Sequence, residues 1–213
     1  MDPADLEAYF RAIRRLRGSF PELRILTGLE ADYYPGFEPY LERLLADQPF
    51  DLVLLSIHFV AGWPGENWLF GYHFPDKSVA QVYREYLEAL RQGIDTGLND
   101  CVAHLDLIKR PGEPLLAHCS GEVEELLRLC ARRGMSIELN TAGLRRPVAE
   151  VYPAPQILSL AVEGGIPLVT GSDAHDPEHV GHGIPDAHAS LAALPEAHVV
   201  RYRGRRIAEQ KPL

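Results

Sequence analysis

The run DLVLLSIHF, residues 51–59, is apolar for most of its length and closes on a histidine. A strand with one wet face alternates apolar and polar residues, so an unbroken apolar run marks a strand buried on both faces. Such strands need helices to cover them, and the rest of the chain supplies helices in alternation. RILTGLEAD (24–32) reads as a strand, FEPYLERLLADQ (37–48) as a short helix and the stretch near 78–97 as a longer one. CVAHLDL (101–107) is again a strand, 119–133 a helix, and MSIELN (135–140) a strand after Gly134. APQILSLAVEGG (154–165) is a helix and IPLVTGSDAH (166–175) a strand. A helix near 186–194 and the strand HVVRYRG (198–204) follow. At the amino terminus Asp2 and Pro3 start a helix, with Leu6, Phe10, Ile13 and Leu16 on one face and a stop at Gly18–Pro21. This order predicts an α/β fold with a parallel sheet, its functional residues at the carboxyl ends of the strands. No repeat or long linker divides the 213 residues, so one domain over 1–213 is expected.

The strand ends are where ionisable residues gather. Glu30 closes the first strand, His58 the second, and His104 with Asp106 the third. The fourth offers Glu138 and Asn140, and the fifth ends in Asp173 and His175. Apolar strands tolerate such groups only when they are paired or bound to metal. Any one of them alone reads as a core hydrogen bond, an ion pair or a turn cap. Several successive strands each closing on a metal-type ligand point to a site for zinc, manganese or iron, and a bridging carboxylate such as Glu30 suits more than one ion. His73 lies in a Gly-, Trp- and His-rich loop (61–77), where Trp63 and Trp68 either wall a pocket or pack the loop down. His118, His179, His182, His188 and His198 read as surface residues.

Composition narrows the partners. A formal net charge of −9 argues against nucleic acid or an anionic membrane, since both select a basic face. It leaves room for a small phosphorylated substrate where metal ions or local arginines reverse the field. The three cysteines are widely spaced and form no C-x-x-C pair, so they read as reduced thiols, and a charged amphipathic start does not read as a secretory signal. A cytoplasmic protein is the expectation.

Five stretches carry a family resemblance: GLEADYYPG (28–36), FDLVLLSIHF (50–59), AHLDLIKR (103–110), ELNTAGLRRPVAEVYP (138–153) and VTGSDAHDPEHVG (169–181). Over roughly residues 24–205 the chain resembles the histidinol-phosphate phosphatases of the polymerase and histidinol phosphatase (PHP) superfamily. The resemblance implies a distorted (β/α)7 barrel and up to three divalent ions (Zn, Mn or Fe). It also implies hydrolysis of L-histidinol phosphate to histidinol and phosphate in histidine biosynthesis. It makes Glu30 a ligand bridging two metals, with His58 and His104 completing one, Asp173 belonging to the other and His175 to a third. Glu30, Asp173 and His175 are then the catalytic residues. Arg145 or Arg146 would clamp the phosphate, with Lys109 a weaker candidate.

The chain also departs from that pattern. Family members open with strands ending in His-x-His and Thr-Asp-His, and neither motif is present. MDPADLEAYF begins where the family is already past both strands. The expectation is therefore an incomplete PHP-type barrel missing about its first two βα units, with fewer metals and an impaired site. Either the native protein begins upstream, or it is short and its site is reduced or completed by a second chain. An open barrel exposes strand edges, which favours a homodimer. The rival readings are a non-catalytic metal-binding or interaction module on the same fold and a PHP-type hydrolase of another phosphoester.

Overall fold

The computed structural model describes residues 3–64, 68–69, 74–194 and 196–213. Its elements are α1 (Pro3–Ser19), β1 (Gly28–Asp32), α2 (Glu38–Leu45), β2 (Leu52–Ser56), α3 (Val79–Asp95), β3 (Cys101–Val102) and α4 (Leu115–Arg133). They continue with β4 (Ser136–Asn140), α5 (Pro155–Glu163), β5 (Leu168–Gly171), α6 (Ile184–Leu191), β6 (His198–Arg203) and β7 (Arg206–Pro212). All seven strands join one sheet in chain order. β1 to β6 pair in parallel and β7 returns antiparallel to β6. Among the described residues β1 and β7 are the two ends of the sheet, so the barrel is open.

The elements form for local reasons that the core then rewards. In α3, Val82, Tyr83, Tyr86, Leu87, Leu90 and Ile94 recur at helical spacing and are all buried. Ser78 caps it by accepting from Gln81 N–H, and the Gln81 side chain returns a bond to Ser78 N–H. Gly93 lets α3 close on β2, because a Cβ there would stand 2.7 Å from Leu55 Cδ1. The main core joins Leu55, Ile57, Val102, Ile137, Leu139 and Leu168 of the sheet region to the apolar faces of α3, α4 and α5. A smaller cluster beneath β1 and β2 holds Leu6, Phe10, Leu45, Phe50 and Val53.

Several expectations are corrected. Leu6 and Phe10 are buried, but Ile13 is half-buried and Leu16 is 41% exposed, so α1 docks only by its first turns. The third strand is two residues long rather than 101–107, because at His104 the backbone turns to φ 24°. α4 begins at Leu115, with a kink where Cys119 takes φ −144° and ψ 40°. β7 was not expected. Its sequence RIAEQKP has no apolar run, and its pairing with β6 alone makes it a strand. No helix among the described residues is long and apolar enough to cross a membrane.

A candidate metal centre at the carboxyl ends of the strands

On β1 the two-residue period puts Glu30 and Asp32 on one face, both turned into a cavity of about 890 Å³ at the carboxyl ends of the strands. β2 delivers His58 two residues past its end, and β3 delivers His104. Glu30, His58 and His104 form a group whose ligand atoms all lie within 4.8 Å of one another. Glu30 Oε1 is 3.0 Å from His104 Nε2 and 3.7 Å from His58 Nε2. Two donors on one tetrahedral zinc, each about 2.1 Å from it, stand roughly 3.4 Å apart. The spacing and the Glu-His-His donor set therefore fit a divalent ion, and the buried His104 Nδ1 has no hydrogen-bond partner among the described residues.

The electrostatics follow from that proximity. The bond with His104 is the largest influence on Glu30 and holds its carboxyl below the usual value, against the upward pull of burial. Burial would lower the His104 pKa, but the bond to Glu30 and the charges of Glu138, Glu30 and Asp173 raise it instead. A hydrogen-bonded pair, with His104 buried and Glu30 open to the cavity, is thus poised to exchange its proton for a cation.

Asp32 was missed in the sequence, although the GLEAD spacing places it beside Glu30. Its Oδ1 lies 2.9 Å from His58 Nδ1, and it accepts from His58 N–H at 2.9 Å and Ser56 Oγ–H at 3.2 Å. Burial pushes this carboxyl up, yet the His58 and Ser56 bonds bring it below its ordinary value. A carboxylate on Nδ1 fixes the tautomer in which Nε2 carries the lone pair that a metal would take.

The fifth-strand pair stands apart. Asp173 Oδ1 is 3.3 Å from His175 Nε2, and the His175 side chain is 78% exposed. A buried bridge ties the pair to the first group: Glu138 Oε2 accepts from His104 N–H and Asn140 Nδ2–H at 3.0 Å each, and Asn140 also donates to Asp173 Oδ2 at 3.4 Å. Burial raises the Glu138 pKa. Asp173 sits at φ 47°, a strained conformation for a residue with a side chain.

The two arginines part company. Arg146 lines the cavity, whereas Arg145 Nη2–H donates to the carbonyls of Ser172 and Asp173 at 2.7 and 3.1 Å. Arg145 Nη1 is buried without a hydrogen-bond partner among the described residues. Lys109 is committed to structure, its Nζ bonded to Glu150 Oε2 and the Val151 carbonyl and 3.3 Å from Asp106 Oδ2. Asp106 is a buried anchor that accepts from Ala154 N–H. Trp63 and Trp68 both line the cavity. His188, read as a surface residue, is half-buried with Nε2 2.8 Å from Thr170 Oγ1, and His73 lies outside the described residues.

An open, mostly parallel α/β sheet with carboxylates and histidines converging at its carboxyl edge defines a barrel-type α/β protein with a candidate metal site. The chain belongs to the PHP domain family, whose sequence profile matches residues 1–142. It is 36% identical over 187 residues to a Deinococcus radiodurans protein named Probable histidinol-phosphatase, covering 85% of this chain and 70% of that one. It is 31% identical over 201 residues to the Histidinol-phosphatase of Bacillus subtilis, covering 85% and 75%. In fold it matches the histidinol phosphate phosphatase of Lactococcus lactis, solved with zinc, L-histidinol and phosphate, at a TM-score of 0.79 and 22% identity, over 96% of this chain and 80% of that one.

Proposed function

We propose that this chain is a divalent-metal-dependent phosphomonoesterase that hydrolyses L-histidinol phosphate to histidinol and phosphate, a step of histidine biosynthesis. The observation that carries the reading is the Glu30–His58–His104 group opening into the same cavity as Arg146, Asp173 and His175. A divalent ion held there supplies Lewis acidity and lowers the pKa of water. Glu30, His58 and His104 hold that ion, with Asp32 orienting His58. Arg146 meets the phosphoryl oxygens, for which a guanidinium offers paired donors. Arg145 acts one step back, holding the carbonyls of the turn that carries Asp173 and His175, which complete the metal-ligating and catalytic set. Zinc, manganese and iron all suit these donors. The enzyme is cytoplasmic in this reading. The β1 edge, flanked by exposed Leu26, Phe37 and Tyr40, favours a homodimer, and a monomeric mass by light scattering would remove that part.

The test is phosphate release from L-histidinol phosphate by the full chain with zinc or manganese, beside Glu30→Ala. Turnover that disappears in the variant supports the assignment. A folded, metal-loaded protein without turnover would leave a metal-binding scaffold instead.

A further inference from the structure

Trp63, Trp68, Leu69 and Phe74 form an apolar stretch of the cavity wall. Trp68 lies near-parallel to His58 with ring centroids 6.0 Å apart, and Trp63 meets Phe74 edge-on at 4.7 Å. Lys77 Nζ stands 4.9 Å from the Phe74 ring centroid. The fastening comes from another element. Glu85 of α3 accepts from Trp63 Nε1–H at 2.6 Å and from Lys77 Nζ at 2.7 and 2.9 Å. Trp63 is the first residue of this wall in sequence and Lys77 follows its last, so one carboxylate ties down both ends. Trp63 is 4% exposed, and a buried indole N–H needs an acceptor. Glu85 itself is not among the residues that line the cavity.

We propose that Glu85 is a positioning residue that sets this aromatic wall to receive the planar, non-phosphate end of the substrate. The proposal rests on reading the cavity as a phosphomonoesterase site. Aromatic faces and edges recognise flat rings and organic cations, and an imidazole is one or the other according to its protonation. In this proposal the wall meets only the non-reacting end of the substrate, so it binds ground state and transition state alike. Loosening it raises KM and leaves kcat nearly unchanged.

Steady-state kinetics with L-histidinol phosphate on the full chain would compare Glu85→Ala, Glu85→Gln and Lys77→Met, with near-UV circular dichroism and acrylamide quenching of tryptophan alongside. Glu85→Ala should raise KM about tenfold with kcat within about threefold, the size expected for one lost charge-assisted bond. It should also weaken the tryptophan dichroism and raise quenching. Glu85→Gln keeps an acceptor for Trp63 and should recover most of both signals, and Lys77→Met should fall between. An unchanged KM in Glu85→Ala, or a fall in kcat at constant KM, overturns the proposal. If Glu85→Ala does not fold, wild-type KM in both Glu85→Gln and Lys77→Met overturns it. A wild-type chain with no turnover defeats the phosphatase reading instead, and the tryptophan signals then decide the clamp alone: unaltered in Glu85→Ala, they sink it too.

Discussion

Asp32→Asn tests whether the metal centre is built from the outside in. The carboxylate accepts from His58 through both ring and backbone and from Ser56, all on Oδ1. Asparagine keeps a carbonyl oxygen there but removes the charge. A hydrogen bond to a charged group contributes about 1.5–3 kcal/mol and a neutral one about 0.5–1.5 kcal/mol, so the ring bond should weaken by about 1 kcal/mol. The Asp32 side chain is 38% exposed, which places the effect at the low end of that range. Because the bond matters most when His58 is held in its metal-binding tautomer, the loss should appear as about fivefold to tenfold weaker zinc binding. Asp32→Ala, which frees the ring altogether, should approach a hundredfold. Zinc competition against a chromophoric chelator at fixed pH measures both, with Glu30→Ala and His58→Ala as references. The reasoning is refuted if both Asp32 variants bind zinc within twofold of the unaltered chain while the reference variants lose it.

Other consequences follow from single contacts. Gly171→Ala places a Cβ 2.1 Å from Glu138 Oε1 and should cost about 1–3 kcal/mol in denaturant unfolding; a loss under about 0.5 kcal/mol would mean that Glu138 has room to move. Lys109→Met leaves the fully buried Asp106 without its cation, and about 3 kcal/mol of stability should go. Burial raises Asp106 to about 6 in the folded protein, so that loss should be larger at pH 8 than at pH 5, as paired denaturation curves will show; equal losses would contradict it. Burial also pushes Tyr202 from 10.0 up to about 12, against the opposing pull of its hydrogen bond with Ser136. A raised folded-state pKa means stability fully present below pH 10 and lost between about 10 and 12, a decline that should flatten in Tyr202→Phe.

Much of the fold was legible because burial writes itself into composition. A strand covered on both faces must be apolar, as 51–59 is, and a helix packed on it must carry its apolar residues at helical spacing, as α3 does. Glu30, His58 and His104 stood out for the same reason, since an apolar strand admits an ionisable group only with a partner. Strand lengths were less legible. β3 stops at Val102 because His104 turns its backbone so that its N–H reaches Glu138, a contact between residues 34 positions apart. β7 carries no apolar pattern because it faces outward at the sheet edge, and only β6 makes it a strand.

Sequence by itself determined the alternation of strands and helices, the edge of the sheet where chemistry gathers, and the residue types that gather there, because these depend on local periodicity and the cost of burying charge. Tertiary structure alone decided which of those residues meet. It drew Glu30, His58 and His104 within 4.8 Å, set Asp173 and His175 apart behind the Asn140–Glu138 bridge, and turned Arg145 toward backbone while Arg146 faced the cavity. Adjacent arginines are alike in sequence, and only the path of the chain after β4 sends their side chains to different partners.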